Sequence, residues 1–287
     1  MAASPSRTGY AAVVELMRPA NGLIAAAGVL VGAFVSRAPT WWGPAFVGAA
    51  AAFSAAGAAN ALNDRLDVDA DRINRPERPI PSGRVTPGVA EAMAAVCGVV
   101  AVALAALVAP RAALLAVVWL ALTALYSVVL KGVPVVGNVA VSLVASTPFL
   151  MGGFTQGKYK LALVPCVLAF LVHLARELVK DVEDVEGDRA AGLRTLAVRR
   201  GAPAVFAVTR GVLVALMVLS ALPFAFRIYG WGYAAVVVVI DALLVWLMVT
   251  LGRRSEEGAL KGGSRVPSNV LKGVMLLGLV AFVLGVL

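Results

Sequence analysis

Long apolar runs, separated by short polar connections, occupy nearly the whole chain. About nine of them approach the roughly 20 residues that a helix needs to cross a bilayer. They cover residues 20–36, 42–62, 88–108, 111–130, 133–154, 159–179, 203–225, 229–251 and 269–287. The runs are continuous and rich in Ala, Val and Leu, whereas barrel strands would be short and alternating. The pattern predicts an all-α polytopic membrane protein, with one helical bundle around a central cavity.

Composition and the polar connections refine this picture. Hydrophobic residues make up 61% of the chain and the mean hydropathy is +0.90, which excludes an ordinary soluble globular domain. The spans leave no room for a second domain, so we expect residues 1–287 to form a single transmembrane domain. Two longer polar stretches, about 63–87 and 181–201, are expected to cap the bundle as loops.

The distribution of the 25 Lys and Arg residues predicts the orientation of the chain. With nine spans, the N-terminus and both cap loops lie on the same side of the membrane. That side carries the large majority of the basic residues, which is typical of the cytoplasmic face. We therefore expect the N-terminus and both caps in the cytoplasm, and the net charge of +9 reflects topology rather than nucleic-acid binding.

Nine of the 16 acidic residues fall in two short stretches, the first acidic segment (63–71) and the second acidic segment (181–188). Each segment ends an even-numbered span and places three polar side chains on one helical face. Mg²⁺ prefers a few carboxylates completed by water and substrate phosphates, so two facing stripes would suit two Mg²⁺ and one diphosphate. Solvated, charged helix ends are the alternative. The predicted metal ligands are Asn63, Asp67 and Asp71, and then Asp181, Asp184 and Asp188.

Basic residues flank both acidic segments, where a diphosphate would need them. Arg offers a planar fork to phosphate oxygens, and Lys offers a point charge. Membrane anchoring of positive residues is the alternative explanation. The candidates for diphosphate contact are Arg72, Arg75, Arg78, Lys131 and Lys180.

Both acidic segments resemble signatures of one family, the UbiA superfamily of intramembrane prenyltransferases. The first string runs from Asn63 through "NDRLDVDADRINRPERPIPSG", and the second is "RELVKDVEDVEGDR" at 176–189. The sequence Arg18-Pro19-Ala20-Asn21 resembles the family's entry into its first span. The resemblance covers essentially the whole chain, and it is strongest to the archaeal-type digeranylgeranylglyceryl phosphate synthases within the superfamily.

The resemblance implies an activity. It is Mg²⁺-dependent transfer of a geranylgeranyl group from an allylic diphosphate to the hydroxyl of geranylgeranylglyceryl phosphate, in membrane ether-lipid synthesis. Two Mg²⁺ ions, a prenyl diphosphate donor and a lipidic phosphorylated acceptor are implied, with no nucleic acid and no obligatory protein partner. The acidic residues implied in catalysis are Asp67, Asp71, Asp184 and Asp188. Asn21 and Tyr126 join the diphosphate contacts, and the division of metal binding between Asp181 and Asp184 stays open.

Two other functions remain open at this point. An aromatic-acceptor prenyltransferase of quinone biosynthesis, acting on a 4-hydroxybenzoate-like molecule, would use the same donor and metal chemistry. A transporter would carry its carboxylates near the middle of the bilayer, whereas these lie at helix ends. His173, the single histidine, is expected to be a buried packing residue rather than a catalytic one.

Overall fold

A computed structural model describes residues 9–36, 42–256 and 266–287, without the side chains of 253–256. Within these ranges the chain forms helices and no strand, which confirms the all-α prediction. The helices are α1 (Tyr10–Met17), α2 (Pro19–Val35), α3 (Gly43–Leu66), α4 (Val68–Asn74), α5 (Pro87–Val108), α6 (Pro110–Leu125), α7 (Val136–Ser146), α8 (Pro148–Thr155), α9 (Leu163–Glu183), α10 (Val185–Ala190), α11 (Leu196–Ala225), α12 (Trp231–Glu256) and α13 (Val266–Val286), and a π-helix (Tyr126–Leu130) continues α6.

Seven helical stretches within the described ranges are long and apolar enough to cross a membrane. They are Gly43–Leu66, Pro87–Val108, Pro110–Leu130, Val136–Thr155, Leu196–Ala225, Trp231–Gly252 and Val266–Val286. An eighth is added if α1 and α2, which meet at a bend of 43°, count as one broken span. Helix α9 covers most of the predicted span 159–179, from Leu163 onwards, but its last turns carry several charged residues. The chain is an integral, multi-pass membrane protein, and the count of nine spans stays a prediction.

Local sequence explains where several helices begin. A proline in the first turn costs no hydrogen bond, because that N–H would have no partner inside the helix, and its φ is already helical. Thr195 adds a side-chain cap to α11, since its hydroxyl accepts from the N–H of Val198 at 3.4 Å. Such first-turn prolines include Pro19, Pro44, Pro87, Pro110 and Pro148.

Glycines allow α2 and α8 to pack with their backbones in contact. A Cβ at Gly32 would collide with the carbonyl of Phe149, and a Cβ at Gly152 would collide with the carbonyl of Val29. Close backbone approach through small residues is a common way to pack helices in a membrane, where apolar burial gives little drive. This contact fixes one wall of the bundle next to the cavity described below.

Each acidic segment contains a helix break that the sequence did not reveal. Asp67 separates α3 from α4 with φ −94° and ψ 9°, and Asp184 separates α9 from α10 with φ −102° and ψ 8°. The prediction of two continuous helical stripes is therefore wrong. Backbone hydrogen bonds still cross each break, from Asp71 N–H to Asp67 and from Asp188 N–H to Asp184. The polar side chains consequently stay grouped although the helices bend.

Candidate active site

The two acidic segments contact each other through α4 and α10. The side-chain nitrogen of Asn74 donates to the carbonyl of Asp184 at 2.9 Å, and the N–H of Gly187 donates to Asn74 Oδ1 at 3.0 Å. Arg75 donates to both carboxylate oxygens of Asp184 from one guanidinium nitrogen, at 2.6 and 2.7 Å. Both segments therefore lie on the same face of the protein, in direct contact.

The first acidic segment holds a group of buried ion pairs. Arg18 pairs with Asp64, which is only 2% exposed, and Arg78 pairs with Asp71 and lies 3.4 Å from Asp64. Burial raises the pKa of the Asp71 carboxyl, and the nearby Arg78 charge opposes that rise. The sequence placed Arg78 here, but it did not identify Arg18 as a site residue, because its partner is 46 positions away.

Asp67 lies between a cation and an amide. Asn63 donates to Asp67 Oδ2 at 2.6 Å, and the ammonium of Lys131 forms an ion pair with the same oxygen. Lys131 directly follows the π-helix, and its N–H donates to the carbonyl of Tyr126 at 2.9 Å across one wide turn. Such turns occur frequently at functional sites, and this one brings Tyr126 to the cavity wall.

The second acidic segment is more weakly paired than the first. Asn138 on α7, which the sequence analysis missed, donates to Asp181 Oδ2 at 3.0 Å. Asp188 is 6% exposed, and burial raises the pKa of its carboxyl to about 6. The charge of Lys131 opposes this rise, whereas Asp184 and Asp67 add to it. Carboxylates of both segments thus act on Asp188, as expected for a shared binding site.

The donor groups in this region suit a magnesium ion that is shared with a phosphate ligand. Across the described ranges, no three His, Cys, Asp or Glu side chains converge closely enough to enclose a metal by themselves. Mg²⁺ seldom uses such a cage, and it is usually held by one or two carboxylates together with water and substrate phosphates. The buried carboxylates of Asp67, Asp71 and Asp188 offer that partial set of ligands.

Two predicted diphosphate contacts have other surroundings in the structure. Arg72 is 65% exposed and pairs at 2.8 Å with Asp69, which is 84% exposed, so α4 carries both on its outer face. The structure does not support a diphosphate contact by Arg72, because this side chain is exposed and does not line the cavity described below. Lys180 does line the cavity, but its ammonium binds Glu177 at 2.8 Å.

A cavity of about 310 Å³ connects this polar region to the apolar interior of the bundle. Its walls come from helices that precede and follow each of the two acidic segments in the chain. The polar part of its lining includes Arg18, Asn21, Asn63, Arg75, Tyr126 and Lys180. The apolar part includes Phe149, Leu168, Val237, Ile240, Leu279 and Phe282. An anionic group at one end and a long hydrocarbon chain at the other would both find suitable surroundings.

Comparisons with known proteins agree with this geometry. The profile of the UbiA prenyltransferase family matches residues 24–261. A digeranylgeranylglyceryl phosphate synthase of Methanopyrus kandleri is 39% identical, over 96% of this chain and 99% of the relative. A solved structure described as a digeranylgeranylglyceryl phosphate synthase in membranes is 26% identical, with a TM-score of 0.74 over 96% of this chain and 98% of its own. A UbiA homologue of Archaeoglobus fulgidus, solved with GPP and Mg²⁺, has a TM-score of 0.74 at 19% identity, over 96% of this chain and 99% of its own.

Proposed function

Because this chain belongs to the UbiA prenyltransferase family, we propose that it is a digeranylgeranylglyceryl phosphate synthase. It transfers a geranylgeranyl group from geranylgeranyl diphosphate to the free hydroxyl of geranylgeranylglyceryl phosphate. The observation that carries this proposal is the contact between the two acidic segments at the mouth of an apolar cavity. The similarity to named synthases over nearly the whole chain supports the choice of acceptor.

The acidic segments hold the metal in this proposal. Two Mg²⁺ supply positive charge to the diphosphate oxygens when bound, which is where negative charge develops as the donor C–O bond breaks. The first set of ligands is Asn63, Asp67 and Asp71, and the second is Asp181, Asp184 and Asp188. Asp181 has an amide partner and Asp184 is already held by Arg75, so Asp181 and Asp188 are the freer ligands of the second set.

The cations of the site bind the leaving group. Lys131, Arg75 and Arg78 each contact a carboxylate of the acidic segments, so each lies beside a proposed metal ligand. With donor diphosphate and metal bound, these cations would contact phosphate oxygens while the carboxylates would hold the metal. Asn21 and Tyr126 on the cavity wall complete the set of contacts. Arg72 is left out, because it points outward.

The apolar end of the cavity houses the hydrocarbon chain and excludes water from the reacting carbon. The bond from the donor's first carbon to the diphosphate breaks, leaving an allylic cation that water would otherwise quench. The acceptor oxygen then bonds to that carbon, and its proton passes to a carboxylate of the site or to the released diphosphate. The orientation that fits this chemistry places both acidic segments and the N-terminus in the cytoplasm, within a single catalytic domain of residues 1–287.

The test uses purified protein in lipid nanodiscs with Mg²⁺ and geranylgeranyl diphosphate. Transfer to geranylgeranylglyceryl phosphate, and its loss in Asp67→Asn and Asp188→Asn, is the expected result. Asp69→Asn is the matched control, because Asp69 belongs to the first acidic segment but is 84% exposed. Prenylation of 4-hydroxybenzoate in place of the glyceryl phosphate would replace this function with the aromatic one. Normal turnover of both buried variants would contradict the metal assignment.

A further inference from the structure

A second group of cations lines the same cavity, on the stretch of α9 that precedes Asp181 and on the neighbouring α13. Arg176 and Lys180 lie on α9, and Lys272 lies on α13. The two helices are joined near the cytoplasmic end, where the hydroxyl of Ser268 donates to Glu183 Oε2 at 2.9 Å. Lys272 follows Ser268 by one helical turn, and Lys180 precedes Glu183 by nearly one turn. The two lysines are therefore at similar depth on neighbouring walls.

This group has more positive charge than its surroundings neutralise. Arg176 and Lys180 share one carboxylate, Glu177, at 2.9 and 2.8 Å. The Nε of Arg176 is buried and makes no hydrogen bond, and Lys272 has no ion-pair partner in the part of the chain that the structure describes. Lys180 also lies close enough to Asp181, Glu183 and Asp188 to interact with their charges, so it is the best neutralised of the three cations. The unpaired ammonium of Lys272 and the unbonded Nε of Arg176 therefore leave positive charge and a hydrogen-bond donor uncompensated beside an apolar cavity.

The cations near the aspartates differ from this second group, because a carboxylate neutralises each of them. Arg75 is bound to Asp184, Lys131 to Asp67, and Arg78 to the buried carboxylates of the first acidic segment. Each of those cations has its own carboxylate, and metal would add the charge that a diphosphate needs. The surplus around Arg176 and Lys272 is not required for the donor, so it is available to a second anion.

We propose that Arg176 and Lys272 bind the phosphomonoester of the acceptor, with Lys180 completing the subsite. This inference rests on the proposed function, since it names how that function selects its acceptor. A phosphomonoester carries about −1.5 to −2 charge near neutral pH, and it would compensate the positive charge that this group leaves without a carboxylate. Arg can bind two of its oxygens at once through the planar fork of the guanidinium, and Lys contributes a point charge.

The position of the subsite fits the geometry of a glyceryl phosphate. Arg176 lies five residues before Asp181 on α9, a rise of about 7 to 8 Å along the helix. In the acceptor the free hydroxyl and the phosphate are on adjacent carbons, so the phosphate must lie within a short reach of the reacting carbon. A phosphate held at Arg176 would place that hydroxyl towards the aspartates, where the donor loses its diphosphate. An acceptor without the phosphate would leave these cations uncompensated.

The first test is binding in the absence of donor and metal. Protein in nanodiscs with EDTA is titrated with geranylgeranylglyceryl phosphate and, separately, with geranylgeranylglycerol, which lacks the phosphate. We expect the wild type to bind the phosphate ester at least about tenfold more tightly, as for one charged hydrogen bond. Lys272→Gln and Arg176→Gln should lose most of this preference. Lys158→Gln, an exposed lysine outside the cavity, should keep it.

The second test separates this subsite from the donor site. In steady-state assays, Lys272→Gln should raise the KM for the phosphorylated acceptor by about tenfold or more, with the donor KM within about twofold. Lys272→Arg keeps the charge, so its KM for the phosphorylated acceptor should stay close to the wild-type value. Its activity would also show that the fold tolerates a substitution at this position. A raised donor KM with unchanged acceptor KM would overturn the subsite, as would a phosphate preference that survives in both Gln variants. A wild type that binds the phosphate ester but does not prenylate it would instead contradict the proposed function.

Discussion

The N–H of Gly187 donates a 3.0 Å hydrogen bond to Asn74 Oδ1, and the amide of Asn74 fills the space that any Cβ at position 187 would need. The carbonyl of Ala70 is also within collision distance of such a Cβ. The two acidic segments can therefore approach this closely only if residue 187 has no side chain. This relationship makes the spacing between the two proposed metal sites depend on a single glycine.

Gly187→Ala should separate the two segments. A methyl group forced into this contact typically costs about 1 to 3 kcal/mol, and the two segments can relieve the strain by moving apart. We expect kcat/KM to fall by about tenfold or more, with a higher Mg²⁺ requirement, while the protein still purifies as a folded species. Gly211→Ala is the control, since a Cβ there meets no atom within 4 Å. Equal activity of the two variants would show that the contact is not needed.

Arg75 and Arg72 are a matched pair of arginines that follow the first acidic segment. Arg75→Gln removes the double contact to Asp184 and a proposed diphosphate ligand, so kcat/KM should fall by about 10²-fold or more. Arg72→Gln changes only an exposed pair with Asp69, which is expected to contribute little. Steady-state kinetics with varied donor would distinguish them. If Arg72→Gln were the more damaging, the outward placement of Arg72 would be wrong.

The pKa of Asp188 predicts a pH dependence of magnesium use. Burial raises this pKa to about 6, so the carboxyl keeps its proton at pH values where an ordinary aspartate has lost it. Mg²⁺ binds the deprotonated form, and its apparent affinity should therefore weaken as the pH falls through about 6 and be constant well above it. Half-saturating Mg²⁺ measured across this range would reveal the inflection. An Asp188→Asn protein with residual activity should lose the inflection near pH 6 and keep only the one due to Asp181, whose pKa burial raises to about 7.

The contact between α2 and α8 predicts a large effect of a small substitution. Gly152→Ala places a methyl group against the backbone of Val29 and Ala33, and neither backbone can move without shifting its helix. We expect a loss of about 1 to 3 kcal/mol in stability, seen as a lower melting temperature in detergent. At Gly98 a Cβ would meet only Leu120 at 3.7 Å, so Gly98→Ala should melt like the wild type.

Much of the fold could be predicted from residue order, because membrane spans and helix starts depend on local properties. Apolar length defines a span, and a proline in the first turn marks where a helix can start. The breaks at Asp67 and Asp184 could not be predicted. The helical spacing of the polar residues continues through both positions in the sequence. The bend is seen only in the structure, where α4 packs against α10.

The candidate site likewise has features that the residue order predicts and others that only the packing of distant helices decides. The sequence by itself determined that two carboxylate-rich helix ends emerge near arginines and lysines, because residue type and helical periodicity are local. Only the tertiary structure decided that Arg75 binds Asp184, 109 positions away, that Arg18 binds Asp64, and that Arg72 faces outward. Which cation neutralises which carboxylate depends on how distant helices pack, and many pairings are compatible with the same order of residues.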